Sequence, residues 1–197
     1  MGQGLYTKVV QIVATTLQVD VGDISCTATR TDKVPNTSPT AASSGSDLNG
    51  MAAKQAAETL KHRLSEFAAK HFAVDTSAVQ FASGHIHVGG HTLTFAELAR
   101  LAYVNRVSLS AVGYYRTPKI HYDRSLARGR PFYYFAYGAA VSEVIVDTLT
   151  GEYKVHRVDI CHDVGESLNP ALDLGQIEGG FIQGMGWVTC LLYTSDA

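Results

Sequence analysis

Apolar residues recur every three or four positions from Leu5 to Leu17, which predicts an amphipathic helix near the start of the chain. The same helical spacing returns in an Ala-rich stretch from Asp47 to about His71, and again from Phe95 to Tyr103. A final helix is predicted from Asp173 to Val188, although this segment is unusually rich in glycine. Helices therefore account for a large part of the predicted structure.

Alternating apolar and polar residues predict strands between these helices. The segments with this pattern, or with short apolar runs beside turn residues, are 24–29, 79–81, 85–88, 107–115, 133–146 and 153–160. The last two are joined by Thr-Leu-Thr-Gly at residues 148–151, a sequence typical of a hairpin turn. We therefore expect an α+β fold of mixed helices and antiparallel hairpins.

Charged residues make up only 17% of the chain, well below the roughly 25% usual for globular domains. The length of 197 residues is enough for one domain with a core of its own. The low charge indicates a surface that is buried against further domains or subunits. The alternative is a domain that is simply poor in charge.

Several classes of protein are disfavoured by composition. The net charge is −2 and there is no basic block, so nothing indicates a nucleic-acid partner. No apolar run approaches the length of a membrane span, and the start lacks a signal-peptide pattern. The scattered cysteines, Cys26, Cys161 and Cys190, form no disulfide framework. We expect a cytoplasmic protein.

A loop rich in small and hydroxyl-bearing residues precedes the second predicted helix. In this loop, Thr40, Ser43 and Ser44 supply hydroxyls, and Gly45 lets the backbone come close to a ligand. Such a loop at a positive helix terminus can bind an anion through backbone N–H groups. The alternative is an ordinary capping segment that ends in an N-cap at residue 46 or 47.

Two further segments carry exposed amides next to glycine. Met-Gly-Gln-Gly at residues 1–4 places Gln3 in a turn with Gly4, and taken alone this is a weak signal. On the final helix, Gln176, Gly180 and Gln183 share one face, which can present amides to a flat ligand. The competing interpretation is tight helix packing, with a capping box formed by residues 173 and 176.

Taken in order, these segments resemble the molybdenum-cofactor-binding part of the xanthine oxidase and aldehyde oxidase family, and specifically xanthine dehydrogenases of the bacterial type. Further matching segments are residues 105–110, 113–118, 135–140 and 163–170. The resemblance implies a truncated piece of the second molybdopterin-binding domain over residues 1–189. Residues 190–197 depart from the family pattern, and we interpret them as translated adapter sequence rather than native protein.

The resemblance also implies which residues hold the cofactor, a molybdenum-pterin in the form of molybdopterin or its cytosine dinucleotide. The implied cofactor-binding residues are Gln3, Gly4, Thr40, Ser43, Ser44, Gly45 and Gln176. Some family members have a serine where this chain has Gly45, and there we expect a backbone N–H to substitute. Ala41 and Ala42 would lie beside the substrate, where larger side chains would block a flat heterocycle.

The implied reaction is hydroxylation of hypoxanthine or xanthine with water, with electrons leaving through 2Fe-2S clusters and FAD to NAD. The expected partners are the purine, the rest of the molybdenum subunit and an iron–sulfur/FAD subunit in a hetero-oligomer. The family's general-base glutamate lies in a Gly-Glu-Pro segment that this chain lacks, so we assign no catalytic residue. Open alternatives are another molybdenum hydroxylase, such as an aldehyde oxidoreductase, and a non-catalytic scaffold domain.

Some other residues suggest chemistry that we disfavour. His85, His87 and His91 have a loose zinc-ligand spacing, but exposed hairpin histidines are the better interpretation, and no metal ligands are assigned. Cys161 and His162 are adjacent on a predicted strand and therefore point to opposite faces. We interpret Arg116 as a structural arginine stacked on tyrosine.

Overall fold

The computed structural model describes residues 3–28, 30, 32 and 43–189. The chain divides into two compact units, Met1–Thr117 and Pro118–Ala197. Each unit contains both helix and strand, and all strand pairs are antiparallel. The expected α+β class is therefore confirmed.

The described residues of the first unit form three α-helices. These are α1 (Leu5–Leu17), α2 (Gly45–His71) and α3 (Phe95–Val104). The start of α3 is set by a capping box: the Thr94 hydroxyl accepts from the Glu97 N–H, and the Glu97 carboxylate accepts from the Thr94 N–H. The predicted helices at all three positions are confirmed, and α2 begins two residues earlier than Asp47.

A three-stranded antiparallel sheet connects α2 to α3. Its strands are β1 (Gln80–Ala82), β2 (His85–Val88) and β3 (His91–Thr94), in that spatial order. Along β2, Ile86 and Val88 are buried while the alternate residues are exposed. One face of the sheet therefore packs inward, as the period of two along a strand requires.

The core of the first unit lies between this sheet and helices α2 and α3. Its buried members are Leu64, Ala68, Ile86, Val88, Leu98 and Ala102. Aromatic and aliphatic side chains such as Phe67, Phe81 and Leu93 are partly buried around them. This cluster gives the first unit its own hydrophobic centre.

Residues 118–189 of the second unit form two hairpins and a helix. The elements are β4 (His121–Asp123), β5 (Arg128–Arg130), β6 (Gly138–Val146), β7 (Tyr153–His162) and α4 (Pro170–Thr189). The β6–β7 turn is held by Asp147, whose Oδ1 accepts from the N–H groups of Leu149 and Thr150. The predicted hairpin and final helix are confirmed, although β6 begins at Gly138 rather than at residue 133.

Two predicted strands are wrong. Residues 24–28 form no strand after a 3-10 turn at Val21–Asp23, and residues 107–115 are also outside any strand. Alternation predicts an extended backbone, but a strand also needs a partner with unpaired N–H and C=O groups. Residues 107–115 instead lie along α2, where the Arg63 guanidinium donates to the carbonyls of Ser108 and Ser110.

Candidate functional site

The turn before α1 places Gly4 at the N-cap with φ 68° and ψ 19°. This left-handed region suits glycine because it has no Cβ. Gly4 has no side chain with which to cap this end of α1, and the first turn of the helix has no acidic residue. Gln3, which is half-buried, precedes the cap and makes no hydrogen bond with described residues. The start of α1 therefore keeps its partial positive charge without a capping oxygen.

The start of α2 is also not capped by its own N-cap side chain. Ser44 is the N-cap and Gly45 is the first helical residue. The alternative N-cap at residue 46 or 47 is thus wrong, and Asp47 lies in the first turn instead. Ser43 is exposed just before the cap. Thr40, Ala41 and Ala42 lie outside the described residues.

Helices α1 and α2 run parallel, so their N-termini lie at the same end of the pair. Two contacts establish the direction. Ile12 packs against Gly50, with its Cδ1 only 2.6 Å from the point where a Cβ on Gly50 would stand. Further along both helices, Lys61 Nζ donates to the Thr16 carbonyl at 2.9 Å. Two partial positive charges therefore lie near each other, at the end that carries Gln3 and Ser43.

Residues 173 and 176 do not form the capping box that was the alternative role for Gln176. Asn169 is the cap, because its Oδ1 accepts from the Leu172 N–H at 3.2 Å, and Pro170 is the first helical residue. Asp173 lies inside the first turn, where it accepts from the Ser167 hydroxyl. The Asn-Pro pair carries the signal that sequence reasoning missed, since proline is favoured directly after an N-cap.

Gln176 is exposed on α4, and its side chain makes no hydrogen bond with described residues. Around it the glycines are open: a Cβ built on Gly175, Gly179 or Gly180 meets nothing within 4 Å. Tight packing of this helix against another backbone is therefore not seen in the described part of the chain. The open face leaves room for a ligand or a partner surface.

An open groove of about 520 Å³ lies along α4, lined by Gly180, Gln183, Gly184 and Trp187. Gln183 is seven residues after Gln176 and shares its helix face. The groove is thus continuous with the amide-bearing face that the sequence predicts.

The structure brings Gln3 and Gly4 to the same end of the α1–α2 pair as Ser43, Ser44 and Gly45. All of these residues belong to the first unit, whereas Gln176 belongs to the second. A pocket shared by the two groups stays a prediction.

The three hairpin histidines have other contacts. His85 Nδ1 is 3.0 Å from the Ser83 carbonyl oxygen, and His87 Nδ1 is 3.0 Å from the Thr92 hydroxyl. The His91 ring lies 4.9 Å from that of Phe72. Within the described ranges, no group of three or more His, Cys, Asp or Glu side chains is arranged to hold a metal ion.

Turn and capping contacts lower the pKa values of four carboxylates among the described residues. The Thr94 N–H, and next its hydroxyl, lower the pKa of Glu97. The Leu149 and Thr150 N–H groups lower the pKa of Asp147. The pKa values of Asp75 and Asp123 are lowered in the same way, first of all by the serines two residues ahead. These carboxylates stabilise local structure and are not poised for proton transfer at neutral pH.

The donor set at the α1–α2 end fits an anionic ligand. It combines two helix N-termini with the Ser43 hydroxyl and the Gln3 amide. The open face at Gln176 fits the flat donor-acceptor edge of a heterocycle, because glycine leaves the backbone accessible there.

Comparison with known proteins decides the family. The model of the molybdopterin cofactor-binding domain matches residues 1–196. This chain belongs to the molybdopterin cofactor-binding domain family. The match also bears on the cofactor: a molybdopterin-binding domain is what the resemblance implied, and that expectation is confirmed.

The relatives of this molybdopterin-binding domain include xanthine dehydrogenases from distant organisms. The chain is 46% identical over 187 residues to xanthine dehydrogenase of Oryza sativa subsp. japonica, covering 95% of the chain and 12% of that protein. It is 46% identical over 192 residues to xanthine dehydrogenase of Dictyostelium discoideum, covering 96% of the chain and 13% of that protein. The domain thus spans about one eighth of the length of these relatives.

Solved structures share the fold. The Cu,Mo-CO dehydrogenase matches with a TM-score of 0.75 and 28% identity, covering 91% of this chain and 22% of that one. Quinoline 2-oxidoreductase from Pseudomonas putida 86 matches with a TM-score of 0.73 over 94% of this chain and 23% of that one, and at 24% identity it shows the fold alone. Among the described residues of this molybdopterin-binding domain, no helix is both long and apolar enough to cross a membrane.

Proposed function

We propose that this molybdopterin-binding domain is part of a xanthine dehydrogenase that hydroxylates hypoxanthine and xanthine with water and passes electrons through 2Fe-2S clusters and FAD to NAD. The observation that carries the proposal is the 46% identity to xanthine dehydrogenases over nearly the whole chain. The CO dehydrogenase shares the fold at only 28% identity. The shared fold therefore supports a molybdenum enzyme, and the more similar relatives support a purine as its substrate.

In this proposal, the end of the α1–α2 pair holds the anionic part of the cofactor. Backbone N–H groups near Gly4, Ser44 and Gly45 would donate to the phosphate, together with the Ser43 hydroxyl and the Gln3 amide. Thr40 would add a hydroxyl, and Ala41 and Ala42 would line the substrate side. These last three residues lie outside the described part of the chain.

Gln176 would bind the pterin ring through its side-chain amide, which offers both a donor and an acceptor to the ring edge. The exposed position of Gln176 and the open glycines around it support this role. The bound cofactor supplies the redox chemistry, and the residues of this domain bind and orient it. We assign no general base here, because no Gly-Glu-Pro segment is present.

The proposal includes the rest of the molybdenum subunit and an iron–sulfur/FAD subunit as partners in a cytoplasmic hetero-oligomer. The second unit supports such partners, because large apolar side chains such as Tyr137, Ile182 and Trp187 are well exposed there. Exposed apolar surface of this extent is typical of a contact region.

The experiment that tests the cofactor site uses the complete enzyme that contains this domain. We expect Gln176→Ala to weaken cofactor retention by about 3- to 10-fold, because a neutral hydrogen bond contributes about 1 kcal/mol. Glu178→Ala, on a different face of the same helix, is the matched control and should leave the content unchanged. Molybdenum and pterin per polypeptide are measured. If the Gln176→Ala enzyme contains as much molybdenum and pterin as the wild type, Gln176 does not bind the cofactor as proposed.

A native enzyme with neither molybdenum nor pterin would instead favour the scaffold alternative. If both are present, the rates with hypoxanthine and with an aldehyde distinguish a xanthine dehydrogenase from an aldehyde oxidoreductase.

The chain of 197 residues by itself should not hydroxylate hypoxanthine, since the family's base and the purine-orienting residues lie outside it. The measurement is formation of xanthine and urate by the purified chain supplied with cofactor. Turnover would show that the chain contains a base that we have not assigned.

A further inference from the structure

The segment from residue 107 to 117 follows α2 in the opposite direction. Arg63 donates to the Ser110 carbonyl at 2.8 Å, and further along the segment the Tyr114 N–H donates to Gln55 Oε1 at 2.8 Å. Gly113 lies directly against α2, since a Cβ built on it would be 1.8 Å from the Ala52 carbonyl oxygen. The segment therefore advances towards the N-terminus of α2.

The segment keeps this extended course to its end. From residue 111 to 117, half-buried and exposed residues alternate, which is the period of an extended chain with one side covered. The chain from Gly113 to Arg116 covers about 10 Å. The helix from Ala52 back to Ser44 covers about 12 Å. An extended chain of this length brings the backbone of Arg116 about level with the first turn of α2, with the Arg116 side chain on the uncovered side of the segment.

Arg116 has no local partner that would explain it. The cation–π contacts of the described residues involve Lys61 and Arg130. Arg116 is exposed and makes no ion pair, hydrogen bond or ring contact with described residues. Stacking on a neighbouring tyrosine, the interpretation from sequence, is therefore not seen. The acidic residue in the first turn of α2 is Asp47, and Arg116 does not pair with it.

We infer that Arg116 is a further cofactor-binding residue, which contacts the phosphate of the molybdenum-pterin at the shared end of α1 and α2. This inference rests on the proposed function. A guanidinium binds phosphate through paired N–H donors, which adds a full charge to the partial charges of the helix ends. Gln55 and Arg63 hold the segment on α2 and so act as positioning residues for Arg116.

The test uses the complete enzyme with Arg116→Ala, Arg116→Gln and Arg116→Lys. Arg100→Ala is the matched control, because Arg100 is an exposed arginine of the same unit on α3. Molybdenum and pterin per polypeptide are measured after dialysis at low and at high salt. Unfolding of the cofactor-free proteins shows whether each variant folds.

We expect Arg116→Ala and Arg116→Gln to weaken cofactor retention by about 10-fold or more, since a hydrogen bond to a charged group is stronger than a neutral one. Retention in these variants should also depend less on salt, because a charge pair has been lost. Arg116→Lys should lose less, and Arg100→Ala should match the wild type. If Arg116→Ala does not fold, Arg116→Gln carries the comparison.

Wild-type retention and wild-type salt dependence in the folded Arg116→Gln enzyme would overturn the inference. If Gln176→Ala loses cofactor in the same experiment, the proposed function stands and only the role of Arg116 falls. A wild-type enzyme that contains neither molybdenum nor pterin would overturn both.

Discussion

The two units of this chain use their apolar residues in opposite ways. In the first unit, Ile86 and Leu98 are 0% exposed and lie in a core between a sheet and two helices. Among residues 118–189 of the second unit none is buried, and Tyr137 and Trp187 are 72% and 66% exposed. Regular secondary structure is present in both, so hydrogen-bonded elements by themselves do not require a core.

The second unit exposes valines along β6 such as Val141 and Val144, and exposed apolar surface of this kind is typical of a contact with another protein surface. We infer that the first unit is stabilised by its own packing. The second unit needs contacts that residues 118–189 do not supply among themselves.

The largest expected difference between the units is in the free energy of unfolding when a leucine of each is replaced by alanine. Leu98→Ala should lower the free energy of unfolding of the first unit by about 2–5 kcal/mol, because it leaves a cavity in a closed core. Leu174, which is 59% exposed on α4, should tolerate alanine to within about 0.5 kcal/mol. Urea unfolding of the full chain measures both. Equal losses would contradict the division into a packed and an unpacked unit.

Replacing a glycine by alanine should change the free energy of unfolding by a smaller amount, and with opposite sign in the two units. Gly113→Ala should cost the first unit about 1–3 kcal/mol, since the new Cβ would overlap the Ala52 carbonyl and the backbone must move. Gly179→Ala should stabilise α4 by up to about 1 kcal/mol, because its Cβ meets nothing and alanine favours a helix. Thermal unfolding followed by circular dichroism tests the sign. A destabilising Gly179→Ala would show that the open face of α4 is already packed.

The smallest expected effect is on the pH dependence of the free energy of unfolding. The Thr94 N–H and hydroxyl lower the folded-state pKa of Glu97, so its contribution to stability is complete above the ordinary glutamate pKa of about 4.3. That contribution is lost as the pH falls through the lower folded-state pKa. Urea unfolding between about pH 6 and pH 3 should therefore show a flatter pH dependence for Glu97→Gln than for the wild type. Glu178→Gln in the second unit is the control.

Much of the local structure could be predicted from residue spacing. The apolar period from Leu5 to Leu17 corresponds to α1, and Thr94 with Glu97 marks the start of α3. The hairpin turn at residues 148–151 also follows from turn residues alone. These features depend on neighbours within a few positions of the chain, so a single sequence contains the information.

The wrong strand prediction at residues 107–115 concerns a segment whose conformation depends on residues far away in the chain. Residues 107–115 alternate like a strand, but Arg63 and Gln55 on α2 satisfy part of their backbone. Their partner is thus a helix about fifty positions away, which a local pattern cannot reveal. The inferred position of Arg116 near the start of α2 depends on that contact, so no local pattern could indicate it.

By itself, the sequence determined the α+β class, most element positions and, through the order of its motifs, the molybdopterin-binding family. Only the tertiary structure decided that α1 and α2 run parallel with their N-termini together, and that residues 118–189 bury none of their side chains in a core. The physical reason is that periodicity is encoded by residues close in the chain. Helix direction and burial depend on which distant surfaces meet.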